Sequence, residues 1–236
     1  CPFYGEYEAE VEAGAVNVDE DSARFGRYTG LDEKGTYADV SARGGDRNES
    51  GTYYGYELVD LGLDTREATL TAGREGLLAA TLTYDEIPYT AWDTTATPYA
   101  RSAKDVVSLP AGWVRSGSTA GMSALGSTLA PVTIGTDRSM LGLGLSWLAR
   151  SDLEVYADAR REEKDGSRRS PVVFLGSIAE VPEPVDWTHD QFELGAVYRF
   201  ARGYARLSWY LSSFDNALAG FSFEHADLPL APDTTF

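Results

Sequence analysis

Cysteine is almost missing from this chain. The one thiol, Cys1, allows no internal disulfide, no paired-cysteine metal site and no C-x-x-C-H haem attachment. Histidine is nearly as scarce. His189 and His225 lie far apart without metal-ligand spacing, and a lone loop histidine is ordinarily solvated. Positive charge is in short supply: 20 Lys and Arg face 37 Asp and Glu, for a net charge of -17. Such a balance disfavours nucleic acid, whose phosphates would be repelled. No stretch approaches the roughly 18 consecutive apolar residues of a transmembrane helix, and the mean hydropathy is -0.29. The start, Cys1-Pro2-Phe3-Tyr4-Gly5, has neither the charged nor the apolar region of a signal peptide and reads as processed or trimmed.

The usual catalytic patterns are missing too. Asp19-Glu20-Asp21 with Asp32-Glu33 lacks EF-hand spacing and its closing glutamate. Gly142-Leu143-Gly144 sits inside an alternating run and opens no helix, so it is no nucleotide fingerprint. Ser116-Gly117-Ser118 is not a nucleophile elbow. Carboxylate pairs are too numerous for any one to stand out. The expectation is a protein that is not an enzyme and that binds no metal or cofactor through its own residues.

What the chain does have is alternation. Met140 to Leu148 puts Leu141, Leu143, Leu145 and Trp147 on one face, and Gly142, Gly144 and Ser146 on the other. After a polar turn at 150–152, Leu153, Val155, Ala157 and Ala159 alternate with Glu154, Tyr156, Asp158, Arg160 and Glu162. A period of two is the signature of a strand with one oily and one wet face. A soluble sandwich and a transmembrane barrel both produce it. Similar strands are expected at 6–17, 36–44, 52–60, 67–73, 77–84, 191–200 and 204–214. In the first, Glu6, Glu8, Glu10 and Glu12 share a face, which is either a strand facing bulk water or a lumen wall facing a cationic protein. Proline-bearing stretches at 87–131 and 164–187 read as long loops, with a short helix possible at 116–129.

The connections separate by end. Those at 18–35, 87–131, 164–187 and after 215 fall on one end, and the turns at 45–49, 74–76, 150–152 and 201–203 on the other. Only the turn at 62–65 is short on the long-loop end. Short turns on one side and long loops on the other is the habit of bacterial outer-membrane barrels, and a Greek-key sandwich has no reason for it. Tyr84, Trp147, Tyr198, Phe200, Trp209 and Phe214 lie near strand ends, where an interfacial girdle would sit. The fold expected is all-β: an antiparallel up-and-down transmembrane β-barrel, here about nine or ten strands in one region spanning residues 1–236, after a short lead-in at 1–5.

Several stretches, in order, resemble the MtrB/PioB family of outer-membrane barrels. They are Asp21 to Gly35 (DSARFGRYTGLDEKG), Asp60 to Arg66 (DLGLDTR), Tyr84 to Pro88 (YDEIP), Asp93 to Tyr99 (DTTATPY) and Leu109 to Val114 (LPAGWV). Arg161 to Gly166 (REEKDG) and Pro182 to Thr188 (PEPVDWT) follow, and Cys1-Pro2-Phe3 looks like the end of the family's CxxC-Pro-Phe segment, with its first cysteine upstream. The resemblance implies a barrel in the outer membrane of a Gram-negative bacterium that sheathes a periplasmic multihaem c-type cytochrome in its lumen. The haem belongs to that partner. An extracellular multihaem cytochrome on the long loops is a further implied partner. About eight strands leave room only for side chains or a small ligand, so such a sheath needs more strands than this chain supplies, and the chain reads as the N-terminal part of a larger barrel.

On this reading the lumen-facing candidates are Glu8, Glu10, Glu12, Glu154, Tyr156, Asp158, Arg160, Glu193 and Arg206. The lipid-facing candidates are Leu141, Leu143, Leu145, Trp147, Leu207 and Trp209. A general porin or substrate channel, and a soluble β-sandwich binding module, are the alternatives.

Overall fold

The computed structural model describes residues 9–174, 177–227 and 234–235. Nine strands form one antiparallel sheet. They are β1 (Glu10–Val18), β2 (Gly35–Arg47), β3 (Thr52–Val59), β4 (Glu67–Arg74), β5 (Leu78–Thr97), β8 (Ala130–Arg150), β9 (Leu153–Phe174), β10 (Ser177–Phe200) and β11 (Gly203–Asn216). Between β5 and β8 lie β6 (Ala100–Ala103) and β7 (Val106–Ser108), and after β11 come β12 (Ser222–Phe223) and β13 (Thr234–Thr235). These four short strands make a second sheet. Helix is confined to short pieces: α1 (Ala23–Gly26), a 3-10 turn at Thr119–Gly121 and α2 (Leu125–Thr128). The last two fall where one short helix over 116–129 was expected.

The nine strands pair in sequence order, apart from the excursion through β6 and β7. This is the meander of an up-and-down barrel wall. Among the described residues the sheet is open, with β1 and β11 at its edges.

The registers turn the alternation of single strands into two continuous faces. On one, Gly44, Tyr56, Leu70, Leu82, Leu143, Ala159, Phe192 and Leu211 stand side by side on eight successive strands. The next row toward the short turns holds Ala72, Ala80, Leu145, Ala157, Leu194 and Trp209. On β10 this face is uncharged and apolar from Phe192 to Phe200, close to the 9–11 residues a tilted membrane strand needs.

These side chains are not a core. Leu207 is 79% exposed, Trp209 58% and Trp147 51%. A sandwich would cover them with a second sheet and take them out of water. Among the described residues nothing does so, which removes the sandwich alternative. Two clusters are buried, both at the long-loop end. One joins Tyr99, Val107, Leu109 and Met122 to Phe221, Phe223, Ala226 and Val181 of β10. The other joins Val18, Leu31 and Leu63.

Two expectations need correction. Residues 164–174 and 177–187 are not loop, because β9 and β10 pair through them in unbroken register from Tyr198↔Leu153 to Ser177↔Phe174. The 87–131 loop is shorter than expected, because β5 runs on to Thr97 and β8 begins at Ala130. Both misreadings have one cause. The strands are 20 to 24 residues long and outrun the apolar belt, so their upper halves lose its clean alternation of apolar and polar residues. Proline added to the impression of a loop. β9 loses its β8 partner beyond Gly166, and β10 loses β11 beyond Trp187. The ribbon therefore has two free edges, where Pro171, Pro182 and Pro184 can sit without breaking a ladder. Cross-strand pairs Arg168–Glu183 and Arg169–Glu180 hold it, and the Arg169 guanidinium lies 5.2 Å from the Trp92 ring.

Candidate functional site: the polar wall

The face opposite the apolar belt carries the candidate site. One row crosses all nine strands: Glu10, Arg43, Glu57, Thr69, Thr83, Gly142, Arg160, Gln191 and Ser212. The next holds Thr71, Thr81, Gly144, Asp158, Glu193 and Tyr210. Eight of the nine lumen-side candidates lie on this face by register. Glu8 lies outside the described residues. All six lipid-side candidates share the apolar face. Phe214, expected in an interfacial girdle, falls instead on the polar face, where its ring lies 5.4 Å from Trp187 and 6.2 Å from His189.

The carboxylates of this wall are mostly tied to arginines on neighbouring strands. Arg43 Nε donates to Glu10 at 2.7 Å. Arg199 reaches Glu154 at 2.6 Å, and Ser146 Oγ donates to the same carboxylate at 2.9 Å. Tyr156 Oη donates to Glu193 at 2.7 Å, and Arg206 contacts both, at 2.6 Å to Tyr156 and 2.7 Å to Glu193. Arg138 and Arg160 converge on Glu162 at 2.8 and 3.1 Å. Glu12 and Asp158 stand exposed. The four-glutamate face of the first strand is thus not a bare acidic wall where it is described, since β2 brings Arg43 beside Glu10. Mixed charge paired across strands satisfies each group in place and keeps side chains from reaching far off the wall.

Backbone relief is low as well. A Cβ on Gly195 would lie 2.4 Å from Cζ of Tyr156, so the tyrosine ring lies flat over the glycine on the adjacent strand. The Arg206 guanidinium stacks 4.9 Å above that ring. A shallow hollow of about 650 Å³ opens here, lined by Thr81, Gly144, Tyr156, Asp158 and Arg206 among others.

Arg43, Glu57, Arg138, Arg199 and Gln191 belong to this wall and were not singled out in the sequence. Their parity within each strand was legible, but which strand's arginine meets which carboxylate depends on register. Among the described residues no group of three or more His, Cys, Asp or Glu side chains could hold a metal ion.

The stretches that carried the family resemblance meet at the long-loop end. Asp93 accepts a hydrogen bond from Ala23 N at 2.7 Å, at the start of α1. Gly30, at φ +66, is pressed against Asp64 of the β3–β4 turn, where a Cβ would lie 2.8 Å from the Asp64 Cβ. Arg66 Nε pairs with Glu86 at 2.6 Å. These motifs build mostly the wall's upper part; Glu162 of Arg161 to Gly166 also belongs to the polar face.

A model described as "Putative outer membrane beta-barrel porin, MtrB/PioB" matches residues 17–235. The chain belongs to this family. Outer membrane protein MtrB of Shewanella baltica (strain OS185) is 29% identical to it over 192 residues, or 81% of this chain and 27% of that relative. The chain thus spans about a quarter of the length of the relative it matches. An MtrB/PioB barrel resides in the outer membrane, where an uncharged band of exposed Leu, Phe and Trp has lipid to meet and a polar opposite face has a lumen.

Proposed function

We propose that this chain is part of the wall of a wide outer-membrane barrel that sheathes a multihaem c-type cytochrome and supports electron transfer across the membrane. The observation that carries the reading is the polar face. Nine adjacent strands present low relief, with carboxylates and arginines neutralised in pairs, and among the described residues the sheet they form does not close on itself. A wall of this kind suits a large protein surface lying close along it better than a small solute. Eight strands already close around little more than their own side chains, so a barrel in which nine leave the sheet open has room for a folded partner. In this role the wall supplies position and insulation, and the haems of the partner carry the electrons. Glu10, Glu12, Glu154, Tyr156, Asp158, Arg160, Glu193 and Arg206 are the proposed contacts. The apolar row through Leu143 holds the wall in lipid. No step of this function asks the chain to make or break a covalent bond.

The family's description as a porin favours a second reading, a channel open to small solutes. Purifying the full-length protein in detergent separates the two. A sheath brings haem absorbance with it in fixed ratio and conducts ions poorly while the partner is in place. A colourless preparation with steady ohmic conductance would overturn the sheath in favour of the porin.

A further inference from the structure

The wall has a notch. β3 ends at Val59 and β4 begins at Glu67, so this hairpin stops at the upper border of the apolar belt. Its neighbours do not stop. β2 runs past it through Gly35 to Ser41, and β5 runs past it from Glu86 to Thr97. The gap between them is about 14 Å wide, from three strand spacings, and about 23 Å high, from seven residues of strand rise. Residues 19–34 fill it. On one side the filling is packed: Leu31 joins Val18 and Leu63 in a buried cluster with Val16 and Tyr37 against it, and Tyr37 Oη donates to Glu33 O at 2.9 Å.

On the β5 side α1 packs with Ala23 and Gly26 buried, and no apolar cluster like that of Leu31 forms among the described residues. Ala23 N donates to Asp93 at 2.7 Å, Thr90 N to Arg27 O at 3.0 Å, and the Tyr28 and Tyr89 rings stand 5.2 Å apart. Arg27 Nε is buried with no protein hydrogen-bond acceptor, a cost to holding residues 19–34 in this place. Phe25 and Tyr28 remain 62% and 60% exposed.

We infer that residues 19–34 form a gate over a lateral window in the barrel wall, hinged on the Val18–Leu31–Leu63 cluster and latched to β5 through Asp93 and Tyr28. The window opens between the lumen and the outside just beyond the apolar belt. Closed, it keeps hydrophilic solutes from leaking sideways. Open, it exposes whatever fills the lumen at that level. The inference depends on the barrel and not on the identity of its contents.

The test uses the full-length protein in liposomes, with trypsin cleavage after Arg24 and Arg27 and oligosaccharide-driven swelling as readouts. Neither needs haem. Asp93→Ala with Tyr28→Ala should raise cleavage about tenfold or more, the shift expected for losing one charge-assisted hydrogen bond, and should speed swelling in parallel. Ala23→Cys with Asp93→Cys, oxidised, should show neither effect until reductant is added. The locked variant also shows that the barrel itself tolerates substitution at Asp93. Unchanged cleavage in the unlatched variant would overturn the latch, and increased cleavage without faster swelling would overturn the window. A haem-free preparation that still gates would count against the sheath and leave the gate standing.

Discussion

Replacing Leu143 with arginine tests whether the apolar face meets lipid. Leu143 sits in an uncharged row, flanked by Leu82 on β5 and Ala159 on β9, with Leu141 and Leu145 above and below it on β8. Its side chain touches neither buried cluster. Packing within the protein therefore predicts a mild effect, because a half-exposed surface leucine loses little when replaced. Lipid predicts a large one. An arginine near the bilayer midplane of a barrel costs about 2–4 kcal/mol, falling to about 0–1 near the interface. Thr81→Arg is the matched control. Thr81 lies on the polar face beside Gly144, with the exposed Asp158 one strand further on, so the new guanidinium has water and a carboxylate within reach. Reversible denaturant unfolding of the full-length protein from vesicles would give the two differences. The expected order is Leu143→Arg destabilised by about 2 kcal/mol or more and Thr81→Arg by less than about 1 kcal/mol. Equal losses, or a larger one for Thr81→Arg, would refute the assignment of faces.

Gly195→Leu should destabilise the sheet by about 1–3 kcal/mol, because its side chain would occupy the place of the Tyr156 ring. Combining it with Tyr156→Ala should recover part of that loss, measurable in the same unfolding assay. Val107→Asp places a charge in a position only 1% exposed. It should release the β6–β7 segment to proteases while the heat-modifiable gel shift of a folded barrel persists. Asp137 lies above the belt, and its carboxyl titrates above the usual range, chiefly through burial and then through Asp165 directly across from it. A raised folded-state pKa means that folding takes up a proton, so stability falls as pH rises from the ordinary value near 3.8 through the raised one. Asp137→Asn should therefore be more stable than the parent at neutral pH, with the advantage vanishing below the ordinary carboxylate range.

The unexpected result is how far the strands extend. Arg161 to Gly166 looks like loop in one dimension because both its faces are charged or polar, and Pro182 to Thr188 because of its two prolines. Charge argues against a strand only where its own face must be buried. Above the belt burial is patchy, at Val181 and Val172, and elsewhere Arg168–Glu183 and Arg169–Glu180 hold the ribbon. The first loop held a comparable surprise. Residues 18–35 read from the sequence only as a long connection, yet Asp93, about seventy residues away, anchors α1 within them. No local pattern could announce that bond, since it exists only because β3 and β4 are short and bring β2 and β5 within one loop's reach.

Although the turn expected at 45–49 falls at 48–51, because β2 runs on to Arg47, the sequence by itself determined the two faces, the strand order, three of the four tight turns and the family. All of these follow from a period of two, from local turn chemistry and from ordered motifs, and they need no knowledge of neighbours. Only the tertiary structure decided where each strand ends, which arginine neutralises which glutamate, and what fills the notch above β3 and β4. Those outcomes depend on register, which sums the choices of nine strands and places Glu193 beside Tyr156 and Arg206, or Glu10 beside Arg43, at distances along the chain that no local signal spans.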